Sequence, residues 1–89
     1  MARYKRKSPK KLAAKLRQIR LELGMTQQEV ADQIGTDASS VSRFERGIRD
    51  PSLLEILAYS YMSGVAVEIL IDDRKNVGRK VSQGPGERI

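Results

Sequence analysis

The sequence predicts an all-α domain, a compact bundle of five short helices flanked by flexible basic ends. Three observations carry that expectation. Apolar residues recur at helical spacing through most of the interior. Glycines at 24, 35, 47 and 64 fall where each apolar period stops, as helix C-terminal signals do. Two Ser/Thr-x-x-Glu boxes, Thr26–Glu29 and Ser52–Glu55, stand directly before apolar-periodic stretches and mark helix starts.

Each element follows in turn. Residues 1–7 carry like charges and little to bury, so they read as a flexible basic arm. Ser8-Pro9 predicts the first helix start, with Ser8 as cap and Pro9 where no N–H is needed. Leu12, Leu16, Ile19 and Leu23 then form one face, and Gly24 ends the helix. The Thr26 box opens a second, short helix with Val30, Ala31 and Ile34 as its apolar face, stopped by Gly35. Asp37 caps a third helix that buries Val41 and Phe44 and ends at Gly47. Residues 48–51 form a loop, since Asp50 before Pro51 avoids the α region. The Ser52 box opens a fourth helix to about Met62, broken by Gly64. Val65–Ile71 is β-branched enough for a strand, but no partner strand is in prospect, so a short fifth helix is expected. No periodicity survives past Asp73. The domain is therefore expected over residues 8–73 and a flexible basic tail over 74–89. There is no internal repeat.

With 89 residues there is room for one domain with a modest core. Cysteine and histidine are both absent. That removes disulfides, thiolate zinc sites, the commonest general base and the commonest metal ligand. There is no glycine-rich phosphate loop and no cluster of carboxylates, so an enzyme is poorly supported, and no cofactor or metal is expected. No apolar run nears the ~18–20 residues that span a bilayer, and the basic start is not followed by an apolar signal stretch. A cytoplasmic protein without membrane association is the default expectation. The net charge of +6 is unevenly placed: residues 1–11 carry +6, residues 12–71 carry −2 and residues 72–89 carry +2. Basic ends on a slightly acidic domain suit a polyanion, either nucleic acid or an anionic membrane, or simply aid solubility.

The informative segment is Thr26 to Gly47. Two short capped helices meet at a tight turn on Gly35, and Ala31 is small where the helices must approach closely. That arrangement is the recipe for a helix-turn-helix, in which the second helix projects its outward N-terminal face. The chain resembles the phage-repressor and Cro-like (Xre-type) helix-turn-helix proteins over roughly Leu12–Asp73. The resemblance is carried by Leu16–Arg20, Gly24-Met25-Thr26-Gln27, Val30-Ala31, Gly35, Ser39, Val41-Ser42, Phe44-Glu45-Arg46-Gly47, Pro51-Ser52-Leu53 and Gly64-Val65. It implies a lambda-repressor-like fold and a sequence-specific double-stranded DNA-binding transcriptional regulator, of repressor type and bacterial or phage-encoded, that reads the major groove with helix three.

Roles follow residue by residue. Gln27 matches the family's phosphate anchor at a helix N-terminus, with a solvated glutamine as the plainer alternative. Ala38, Ser39 and Arg43 match positions that face base edges. Arg43 is the best reader because its fork fits guanine O6/N7, although it could serve a phosphate alone. Ala38 offers only a thymine-methyl contact, and Ser39 is chemically permissive, so DNA shape would share the specificity. Ser40, Ser42, Arg46 and Arg49 are expected DNA-backbone contacts or plain surface. Lys5, Arg6 and Lys7 of the arm are expected backbone contacts or solvated charges. Arg20 and Glu45 match a structural salt bridge between the first and third helices. Leu53, Ile56 and Leu57 match the family core. Leu54, Ala58 and Tyr61 form a second apolar face on the fourth helix. Leu54, Tyr61 and, on the fifth helix, Ile69 are candidates for a homodimer interface, or that face is covered by a folded-back tail. Ser63 and Ala66 depart from the family's core leucine and capping Ser or Thr. A second functional class stays open: an antitoxin or helical adaptor that binds a toxin or another regulator.

Overall fold

Most helix starts in this chain are set by capping side chains, one of which reaches 62 and 63 residues back along the sequence. In the computed structural model, which describes residues 9–78, five α-helices follow one another: α1 (Leu12–Glu22), α2 (Gln27–Ile34), α3 (Ala38–Glu45), α4 (Leu53–Ser63) and α5 (Val67–Ile71). No strand occurs among the described residues.

Both capping boxes form. Thr26 Oγ1 accepts from Glu29 N–H at 3.0 Å while Glu29 Oε1 accepts from Thr26 N–H at 2.8 Å. Ser52 and Glu55 repeat the exchange at 3.1 and 2.7 Å. Asp37 caps α3 by accepting from Ser40 N–H at 2.8 Å. In each case an otherwise orphaned helical N–H finds a partner.

The start of α1 differs from the expectation. The helix begins at Leu12, and its N-cap residue, Lys11, makes no side-chain cap; the expected cap, Ser8, lies outside the described residues. The acceptor for the backbone donors there comes from far along the chain. The Asp73 carboxylate accepts from Lys10 N–H at 2.9 Å and from Lys11 N–H at 3.0 Å. The reciprocal bond is made by Lys15, a lysine only 4% exposed. Its Nζ donates to the carbonyls of Ile69 at 2.6 Å and Asp72 at 2.9 Å, closing the C-terminal end of α5. A buried ammonium is tolerable when carbonyls replace its water shell, and a cation suits a helix C-terminus.

The core sits where α1, α2, α3 and α4 converge. Leu16 and Ile19 of α1, Val30 and Ala31 of α2, and Val41 and Phe44 of α3 are all buried, as their spacing predicts. α2 packs on α3 and α4, while α1 bridges α3 and α5. The fourth helix corrects the expectation: Ile56 is buried, but Leu53 and Leu57 are exposed. The inward stripe is instead Ile56, Tyr59 and Ser63. Tyr59 is fully buried, its hydroxyl has no hydrogen-bond partner among the described residues, and burial pushes the phenol above its ordinary range. Ser63 fits where a leucine would be common because its Oγ donates to the Tyr59 carbonyl at 2.8 Å and accepts from Val65 N–H at 3.1 Å. Ala66 precedes α5 with no side-chain cap.

Packing also runs past residue 73, where the sequence suggested that order ends. Val77 is buried against the core, and Gln18 Nε2 donates to the Gly78 carbonyl at 3.4 Å. The arm at residues 1–7 and the tail from residue 79 lie outside the described residues.

Candidate nucleic-acid interface

The turn between α2 and α3 fixes how α3 is presented. Gly35 adopts φ +81°, a left-handed conformation that L side chains resist. Its N–H and that of Thr36 both donate to the Ala31 carbonyl at 2.9 Å, which ends α2 in one step. Ala31 is fully buried between Val30 and Ile34 on the packed face of α2, and its methyl keeps that position small.

On α3, burial divides the helix into two opposed faces. Ser40, Val41 and Phe44 point inward. At 100° per residue, positions 38, 39, 42, 43 and 46 fall on the opposite side. Ser39, Arg43 and Arg46 are exposed there, with Ala38 and Ser42 half-buried. Arg46 Nε donates to Ser42 Oγ at 3.3 Å. The Asp37 carboxyl at the helix start is held below the usual carboxylate range chiefly by the Ser40 N–H, then by the Ser40 hydroxyl, and least by the charges of Arg43 and Arg49.

Ser40 departs from its expected position. It is 4% exposed, on the inner side, and its hydroxyl accepts from Arg49 Nη1 at 2.9 Å. Arg49 itself remains exposed and lies over the Phe44 ring, 5.3 Å from the centroid. Ser40 thus holds the Arg49 guanidinium back against the first turn of α3 instead of presenting its own hydroxyl outward.

Behind α3 lies a charged support. Arg20 Nε donates to Glu45 Oε2 at 2.7 Å and Nη2 to Oε1 at 3.0 Å, a two-pronged pair. Arg20 Nη1 also reaches the Met25 carbonyl at 3.2 Å. Gln27, the first residue of α2, donates from Nε2 to Glu45 Oε1 at 3.2 Å and is half-buried. One carboxylate therefore joins α1, the start of α2 and the end of α3.

Of the other expected residues, Lys5, Arg6 and Lys7 lie outside the described residues. Leu54 and Tyr61 are 74% and 73% exposed, with Leu53 beside them. Ile69 is half-buried and packs on the core, so it is less available than those two. Lys15, Asp73 and Tyr59 carry structural roles that sequence reasoning missed. The hydrogen-bond partners of Lys15 and Asp73 lie far along the chain, and no local pattern marks any of the three. No group of three or more carboxylate, histidine or cysteine side chains suited to a metal occurs among the described residues.

A capped α2, a left-handed glycine turn and an α3 whose outer side is open define a helix-turn-helix protein. The chain belongs to the helix-turn-helix family, whose model matches residues 16–60. It is 29% identical over 70 residues to the cryptic phage CTXphi transcriptional repressor RstR of Vibrio cholerae, an alignment covering 78% of this chain and 63% of RstR. The chain thus spans 63% of that curated relative's length. Among solved structures, it resembles the restriction-modification controller protein C.AhdI from Aeromonas hydrophila, with 34% identity and TM-score 0.54, over 72% of this chain and 88% of that one. It also shares the fold of the P22 c2 repressor, solved in complex with a synthetic operator, at TM-score 0.67 and 21% identity over 70% of this chain and 94% of that one.

Proposed function

We propose that this protein is a sequence-specific double-stranded DNA-binding transcriptional regulator of repressor type. The observation that carries the reading is the open outer face of α3, where Ser39, Arg43 and Arg46 are exposed while the opposite side is packed into the core. Arg43 reads a base through its planar fork, with Ser39 and the Ala38 methyl beside it. Gln27, Ser42, Arg46 and Arg49 meet the sugar-phosphate backbone on either side. Ser40 acts through Arg49. Family membership and likeness to repressors support the reading, and the same likeness favours a non-enzymatic role.

A second copy of the chain completes the arrangement. Leu54 and Tyr61 present an apolar surface on α4 away from the core, and such a surface on a small soluble domain suits a partner. A two-fold dimer would place two α3 helices one helical turn of DNA apart, about 34 Å. No helix among the described residues is long and apolar enough to cross a membrane.

Selection of bound fragments from random duplex DNA by the full chain tests both statements. The expected product is an inverted repeat with half-site centres about one helical turn apart. Arg43→Ala should then lose about 1–3 kcal/mol against the selected duplex, with an unchanged circular dichroism spectrum. No enrichment would sink the regulator reading, and enrichment of a single unrepeated site would sink the dimer.

A further inference from the structure

We infer that Ser40 and Phe44 form a seat that holds the Arg49 guanidinium along the flank of α3, so that Arg49 meets a DNA phosphate close to the base read by Arg43. Ser40 is then a positioning residue, which touches no DNA and acts by fixing a side chain that springs from the loop after the helix. The inference rests on the DNA-binding reading above and deepens it, by assigning what holds Arg49 and where along α3 its charge is delivered.

Arg49 follows the C-terminal end of α3, but its charge does not stay there. Its backbone N–H donates to the Arg43 carbonyl at 3.4 Å. Its side chain runs back along the helix until Nη1 donates to Ser40 Oγ, in the first turn, at 2.9 Å. The guanidinium carbon also stands 5.3 Å from the centre of the Phe44 ring. Ser40 and Phe44 are four residues apart, so they share one face of α3, about 6 Å apart along its axis. Both are fixed in place: Ser40 is 4% exposed and Phe44 1%. The Ser40 N–H is held as well, by the Asp37 cap at 2.8 Å. The seat thus belongs to the packed side of the helix, while the arginine resting on it is exposed.

The ring attracts the cation, and the hydroxyl takes one N–H of a planar fork that has others to offer a phosphate. An unrestrained arginine gives up many rotamers when it meets DNA, whereas a seated one has given up most of them beforehand. The place of the seat matters as much as its stiffness. Arg43 stands three residues after Ser40, so the two are neighbours on the helix surface. The charges of Arg43 and Arg49 both act on the Asp37 carboxyl at the helix start. Two guanidinium groups are therefore delivered towards the N-terminal part of α3, the part of a recognition helix that meets base edges. With Arg43 turned to a base, Arg49 on the flank faces the phosphates that wall the groove.

A thermodynamic cycle on the full chain separates this role from a purely structural one. The proteins are the parent, Ser40→Ala, Arg49→Gln, their combination and Arg49→Lys, each titrated with the selected duplex across a salt series. Ser40→Ala keeps the Asp37 cap, which uses the backbone N–H, so the helix start survives the change. Arg49→Gln should weaken binding about tenfold and lower the salt slope by about one. Ser40→Ala should weaken it about fourfold with the parent's salt slope, because the charge remains, and by less than about twofold once Arg49 is glutamine. Arg49→Lys keeps the charge without the planar fork, so it should match Ser40→Ala in both affinity and slope. Phosphate-ethylation interference should lose one site in Arg49→Gln, close to the base pair at which Arg43→Ala relaxes selection. Equal losses from Ser40→Ala in both backgrounds would make Ser40 a fold residue only and overturn the inference. So would an Arg49→Lys chain that binds as the parent does, an Arg49→Gln chain with the parent's salt slope, or a lost phosphate remote from the Arg43 base pair. All of these leave the regulator reading standing, whereas a parent chain that binds no duplex would bring down that reading and this inference with it.

Discussion

Glu45 accepts hydrogen bonds from three donors, two on Arg20 and one on Gln27, and its side chain is 3% exposed against 13% for Arg20. Taking such a pair out of water is costly, so its net contribution to stability is small while the loss of one partner is large. Glu45→Ala should lower unfolding free energy by about 3 kcal/mol, because it strands a guanidinium in the interior. The double variant Arg20→Met/Glu45→Leu should recover most of that loss in denaturant titrations. A single variant as mild as a surface substitution would mean that the pair is solvated. At this scale the sequence was legible where partners are near. Thr26 with Glu29, Ser52 with Glu55 and Asp37 with Ser40 are each separated by three residues and declare themselves as patterns. Arg20 and Glu45 were reached through resemblance alone. Lys15 and Asp73 were not reached at all. Their partners lie 54 to 63 residues away, and each is backbone, which leaves no mark in the side-chain alphabet.

The α2–turn–α3 element depends on one backbone conformation. Nothing lies within 4 Å of a β-carbon added at Gly35, so a substitution there meets no steric obstacle. The whole penalty is the left-handed φ of +81°. Gly35→Ala should therefore cost about 1 kcal/mol in thermal or denaturant unfolding while leaving the packing of α3 intact. A loss several times larger would point to a shifted α3. The helices themselves were readable from period and glycine spacing, with two instructive exceptions. α4 is apolar on several sides, so its periodicity fits more than one buried stripe. Leu53 and Leu57 look as suited to the core as Ile56, but contact with α2 and α5 selects Ile56, Tyr59 and Ser63. The start of α1 misled because Ser8-Pro9 is a sound local signal, whereas the cap that forms comes from Asp73.

Over the whole molecule, α1 ties the two ends of the domain together. Its start is closed by Asp73, its buried Lys15 closes α5, and Arg20 near its end anchors α3. The outer face of α3 is thus backed by a frame in which α1 bonds to the end of the domain and to α3. Charge follows the same division: residues 12–71 are slightly acidic, and the positive charge lies at the ends. On the proposed reading, long-range attraction to a polyanion would come from the termini, while the exposed side chains of α3 would supply selection. The most direct measurement of this account is the amide chemical-shift map of the full chain as a selected duplex is added. The amides of Ala38, Ser39, Ser42 and Arg43, with those at the start of α2, should move most. A map centred on Leu54 and Tyr61 of α4, with α3 unmoved, would contradict it.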